Sequence, residues 1–166
     1  MSSKSRLAMF LGVSFIFGLG SSPTAYGAPP NDACSLLTPA QVSAVLDVPA
    51  TGKALGPKAC IWVQTDVKPG SPRRRVDLLL LLIQGFTGGY AAAKMPNAST
   101  SATHVSGLGD DAYYLSMTQG RQYMELRVRK GSVAFGTRVQ SSGTPFTLDQ
   151  IKAKEKMLAL DVLAKL

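Results

Sequence analysis

Gly107-Leu-Gly109-Asp-Asp-Ala112 has the G-x-G-x-x-A spacing of a dinucleotide-binding loop. In such a loop the glycines let the backbone approach a pyrophosphate, which then meets the N-terminus of a following helix. The context here differs. The preceding NASTSATHV is not a strand pattern, and the following AYYLSM is strand-forming rather than helical. The motif therefore predicts a turn into a sheet, with Gly107 and Gly109 at positive φ and Asp110 and Asp111 capping nearby amides. No cofactor is expected.

His104 is the single histidine, so any Ser-His-Asp or metal centre has to use it. Ser106, Asp110 and Asp111 lie close in sequence, which makes a hydrolase centred on His104 the alternative reading. A metal site would want more strong ligands, and none is expected. Adjacent aspartates point apart in extended chain, so Asp110 and Asp111 are poor as an acid/base pair. Glu125 is expected to form a surface ion pair with Arg127 or Arg138.

Basic residues are the stronger lead. Arg73-Arg74-Arg75 sits on a predicted turn, and Arg127, Arg129 and Lys130 project near a strand end. Such clusters attract anions, and all six are candidate anion-binding residues. Positive charge at a strand edge also discourages sheet-to-sheet aggregation, which needs no ligand. Trp62, Tyr113, Tyr114 and Tyr123 are expected to pack in the core and across strands.

The elements that must position these groups follow from local pattern. Thr38-Pro39-Ala40-Gln41 is a capping box with proline at the first helical position, and Val42, Val45 and Leu46 form its apolar stripe. Residues 51–58 read as loop, 59–65 as a strand and 66–75 as a turn. VDLLLLLIQ at 76–84 predicts a central strand buried on both faces. A short helix is expected over 90–95 and a polar loop over 96–104. Strands over 112–117, 122–129 and 133–140, joined by tight connections, predict an antiparallel meander. Thr147-Leu148-Asp149-Gln150 caps a final helix toward Leu166. The order is α-β-β-(α)-β-β-β-α, an α+β fold with about five antiparallel strands and helices at both ends packed on the sheet.

Lys4 and Arg6 precede the apolar run LAMFLGVSFIFGLG and then SSPTAYG, the pattern of a signal peptide over residues 1–27. Removing 27 of 166 residues leaves 139, enough for one α+β domain spanning 28–166. Removing Lys4 and Arg6 from a formal charge of +8 leaves +6. No other run is long enough to span a membrane, so no transmembrane anchor is expected after cleavage. The expected location is periplasmic or secreted, where Cys34 and Cys60 pair as a disulfide.

Cys34-Ser-Leu-Leu-Thr-Pro-Ala-Gln-Val, Ala59-Cys60-Ile-Trp62 and Val105-Ser-Gly-Leu-Gly-Asp-Asp-Ala-Tyr113 together set a C-x-L-L-T … C-x-W … G-L-G-D-x-A pattern. It resembles a group of small exported bacterial proteins, among them actinobacterial lipoproteins, that carry a domain of unknown function. The resemblance implies an antiparallel sheet with flanking helices, akin to a PsbP-like α/β/α sandwich, and brings no catalytic residue. Cys34 lacks a lipobox. The leading expectation is a non-enzymatic binding protein whose partner is another protein or an anionic envelope component. Export makes nucleic acid an unexpected partner.

Overall fold

The computed structural model describes residues 30–117, 124–143 and 146–166. The expected signal peptide, Gln122 and Tyr123 lie outside them. A 3-10 turn over Ala33–Leu36 leads into helix α1 (Pro39–Leu46). The reciprocal capping box of Thr38 and Gln41 forms as the local pattern requires, and Asp47 ends α1 in the left-handed region. Strands β1 (Ala50–Ala54), β2 (Ala59–Gln64) and β3 (Arg73–Leu81) follow, then helix α2 (Ile83–Ala92). Strands β4 (Thr100–His104), β5 (Asp111–Met117), β6 (Met124–Lys130) and β7 (Val133–Ser142) precede helix α3 (Leu148–Leu163). Thr147 and Gln150 cap α3 with the second box.

Among the described residues the strands form one sheet of seven in the order β1-β2-β3-β7-β6-β5-β4, antiparallel at every junction. Two meanders, β1–β3 and β4–β7, join along β3 and β7. Seven strands rather than about five is a correction, and the additional two are the edges. Residues 51–54 and 100–104 carry Thr, Gly, Lys, Ser and His without apolar alternation, so they read as loop. Pairing with β2 and β5 makes them strands. β3 also starts earlier than its apolar run, at Arg73, because β7 offers partners as far as Ser142. Helix α2 covers 83–92 rather than 90–95. Its Gly85, Gly88 and Gly89 lower helix propensity, and Leu82 supplies no side-chain cap. Tertiary contact supplies what propensity lacks: Phe86 is buried, and its carbonyl accepts from the Tyr113 hydroxyl at 2.6 Å.

One face of the sheet carries the main core. Trp62, Val76, Leu78, Leu126, Val128 and Phe135 pack with Val42, Val45 and Leu46 of α1 and Leu158, Ala159 and Val162 of α3. The second face carries a smaller cluster of Phe86, Tyr113, Leu115 and Ala134 beneath α2. The layers are therefore helix, sheet, helix, with α2 packed on β5, β6 and β7.

The G-x-G-x-x-A segment is the predicted turn. Gly107 and Gly109 have φ of 77° and 59°, and Leu108 between them is buried. A Cβ at Gly109 would run into the Arg129 carbonyl oxygen, whereas one at Gly107 would meet nothing. That oxygen also accepts from the Asp110 amide at 2.8 Å. Gly109→Ala is therefore expected to cost roughly 2 kcal/mol or more, against about 1 kcal/mol for Gly107→Ala, which meets only the left-handed penalty. Urea unfolding of the two variants measures the difference; equal midpoints would refute the packing argument.

Candidate functional site

Register decides what the predicted basic residues do. Along β3, Arg73 and Arg75 fall on one face and Arg74 on the other. Arg74 turns toward the C-terminus of α1. It donates to the Leu46 carbonyl, approaches Asp47 at 4.0 Å and lies over the Phe146 ring at 4.9 Å. Lys154 of α3 meets the same place, donating to the Val45 carbonyl and to Asp47 Oδ2 at 2.8 Å, with its Nζ 4.9 Å from the Phe146 centroid. Two cations thus compensate the negative end of α1. The Lys154 hydrogen bond holds the Asp47 carboxyl below its ordinary range.

Arg75 ion-pairs with Asp77, which is almost fully buried and also accepts from Arg138 Nε at 2.9 Å and Gln140 Nε2 at 3.1 Å. Arg127 Nε donates to Glu125 Oε1 at 2.7 Å, and its Nη1 reaches the Gly85 carbonyl at 3.3 Å. Arg129 faces Asp110 at 3.7 Å. Lys130 donates to the Leu163 carbonyl at the C-terminus of α3 at 3.2 Å. The two clusters do not converge. Arg75 sits opposite Gln140 and Arg129 opposite Ala134, which along β7 is a separation of about 20 Å. Helix ends and carboxylates engage five of the six; Arg73 is exposed, with no carboxylate partner among the described residues.

Glu125 is not a surface ion pair. Its partner is Arg127 as expected, but only 1% of the residue is exposed. Gly136 makes this possible, since a Cβ there would stand 2.6 Å from Glu125 Oε1. The sequence reading missed both this burial and Asp77. An acid interrupting an apolar strand run was the available signal.

An open groove of about 360 Å³ lies where the end of β2 meets the start of β3, lined by Val63, Gln64, Val67, Arg73, Arg74 and Arg75. Val63 and Val67 present apolar surface, 37% and 38% exposed. Gln64 Nε2 donates to the Asp66 carbonyl at 3.0 Å, and its buried Oε1 has no partner among the described residues. The arginine triplet was legible as a cluster, but the valines that complete the groove were not. They come from a different strand and the loop after it.

His104 sits on edge strand β4 directly across from Tyr113, and its Nε2 lies 3.5 Å from Asp111 Oδ1. Both side chains are largely exposed. Ser106 lies in the turn beyond β4, and the Ser101–Ser116 hydroxyl pair sits three register steps off, on the opposite face from His104. Asp110 caps a distant turn, accepting from the Gly131 amide at 2.7 Å, rather than its own loop. Trp62 and Tyr113 are buried as expected of core aromatics, and Tyr114 nearly so; burial raises Tyr113 above the ordinary phenol range. Among the described residues no group of three metal-ligating side chains occurs, and no helix is long and apolar enough to cross a membrane.

Cys34 and Cys60 form the disulfide, with Cα atoms 5.0 Å apart. It ties the 3-10 turn to β2. The chain matches no family model, no curated protein and no solved structure.

Proposed function

We propose that this is an exported, non-enzymatic binding protein that seats an anionic group of an envelope component in the groove at the start of β3. The carrying observation is Arg73. It stands exposed at the groove rim while the other predicted cations are engaged by carboxylates or helix ends. The groove suits a ligand with an anionic head and an apolar neighbour, because Val63 and Val67 flank the arginines. The Cys34–Cys60 bridge supports an oxidising compartment, where such components are met.

Arg73→Glu tests the reading with little expected effect on folding. Capture of an anionic component from an envelope extract at low salt is expected to weaken roughly tenfold in the variant, equivalent to about 1.4 kcal/mol. Raising the salt should erase the difference. Equal capture by both proteins, or capture indifferent to salt, would remove the proposal. The same assay with Arg129→Glu, at the far end of the sheet, is the control and is expected to change little.

A further inference from the structure

Glu155 of α3 is fully buried, and it meets the sheet where a ladder breaks off. The β6–β7 pairing runs from Lys130 opposite Val133 to Leu126 opposite Thr137 and then stops, although β6 begins at Met124 and β7 continues to Ser142. At the break, the Val139 amide donates to Glu155 Oε1 at 3.0 Å, and the Leu126 amide also acts on the carboxyl. Thr137 Oγ1 donates to the Glu155 carbonyl at 3.4 Å. A helix side chain thus stands in for a rung of the sheet. Its Oε2 is buried with no hydrogen-bond partner among the described residues, in the layer that holds Leu126, Val139 and Leu158.

The charges around it do not neutralise an ionised carboxylate. Glu125 on β6 disfavours the charged form and Arg138 on β7 favours it, both from the opposite face of the sheet. Tyr114 on β5 gives its hydroxyl to the Lys152 carbonyl, while the Lys152 ammonium lies over the Tyr114 ring. Lys154 is turned to α1, where Asp47 holds it. The buried residues of α1 are Val42, Val45 and Leu46, none of them titratable. Burial, the largest influence, pushes the Glu155 carboxyl up to about 8.

We propose that Glu155 is a proton-operated latch: with its proton it closes the β6–β7 seam under α3, and losing the proton frees α3 from the seam. The strand amides favour the charged form, but they leave Oε2 bare, and burial outweighs them. A carboxylate needs water at Oε2, and water reaches that atom when α3 lifts. Once exposed, the group returns to the ordinary glutamate range, so the closed form binds one more proton than the open form between about pH 4.5 and 8. Opening is favoured as pH rises through that window and levels off above it. The latch does not depend on what the groove binds.

Hydrogen exchange of the α3 amides and of Thr137 and Val139, from pH 5 to 9 on the full chain, tests it against Glu155→Gln at each pH. The ratio cancels the intrinsic pH dependence of exchange. The wild-type opening equilibrium is expected to rise about tenfold per pH unit below 8 and then flatten, relative to a flat variant. Parallel profiles would overturn the latch. Carbon-13 titration of the Glu155 carboxyl in the wild-type protein decides the matter even if the variant does not fold. A midpoint near 8 supports it, and one in the ordinary glutamate range overturns it.

Discussion

Replacing Cys34 and Cys60 together by serine is expected to lower the stability of this protein by about 3–4 kcal/mol. The bridge closes a sequence separation of 26 residues that includes α1 and β1. Without it the unfolded chain regains the corresponding loop entropy, which supplies most of the effect. Packing adds to it. Cys60 is fully buried beside Trp62, so a serine there places a hydroxyl in the main core. The 3-10 turn also loses its covalent tie to β2, leaving the Ala33 amide to Pro57 carbonyl contact at 3.0 Å as a neighbouring attachment. Urea unfolding of the double variant measures the loss, and reduction of the wild type should shift its midpoint in the same direction. An unchanged midpoint in the double variant would contradict a stabilising role for the bridge.

Asp77→Ala is the second large effect, expected at about 3–5 kcal/mol. Asp77 is 3% exposed and gathers Arg75, Arg138 and Gln140 on the face of the sheet away from α1 and α3. Removing the carboxylate leaves those donors in a poorly solvated place without the acceptor that compensates them. Asp77→Asn keeps the shape and one acceptor oxygen, so it is expected to lose less, roughly half as much. The contrast between the two variants separates charge from volume. If alanine and asparagine cost the same, the ion cluster is not what holds β3 to β7 here. Replacing both Asp77 and Arg138 by apolar residues is expected to recover part of the loss, as pairs of buried charges often do.

Asp77 also shows where sequence reading stops. An acid inside VDLLLLLIQ is visible, but two of its three partners, Arg138 and Gln140, lie on β7, more than sixty positions away. The same holds for the arginine triplet. Adjacent in sequence, its members alternate between faces, and the face together with the position along β3 decides whether a cation meets a helix end, a buried aspartate or solvent. Helix α2 departs from the expected 90–95 because its glycines oppose helix formation and the compensating contact, Phe86 with Tyr113, crosses the fold. The edge strands were missed because they carry no apolar alternation; pairing with a neighbour creates them.

Features that nearest neighbours control are legible in the residues alone. Both capping boxes, the positive-φ glycines, the core strands and the α+β class follow from residue type and spacing over a few positions, where steric and hydrogen-bonding preferences act directly. The cysteine pairing followed from there being just two cysteines in a chain with an export-like start. The seven-strand order, the separation of the basic clusters, the valine-and-arginine groove and the burial of Glu155 are set by contacts between distant segments. That last residue sits among lysines in the sequence, on the stripe of α3 that carries Ile151 and Leu158. It is buried because helical periodicity aligns it with Ile151 and Leu158 and turns it to the end of the β6–β7 ladder. Solvation of a side chain is set by what packs over it, and in a sheet closed by β3 and β7 that packing comes from residues far along the chain.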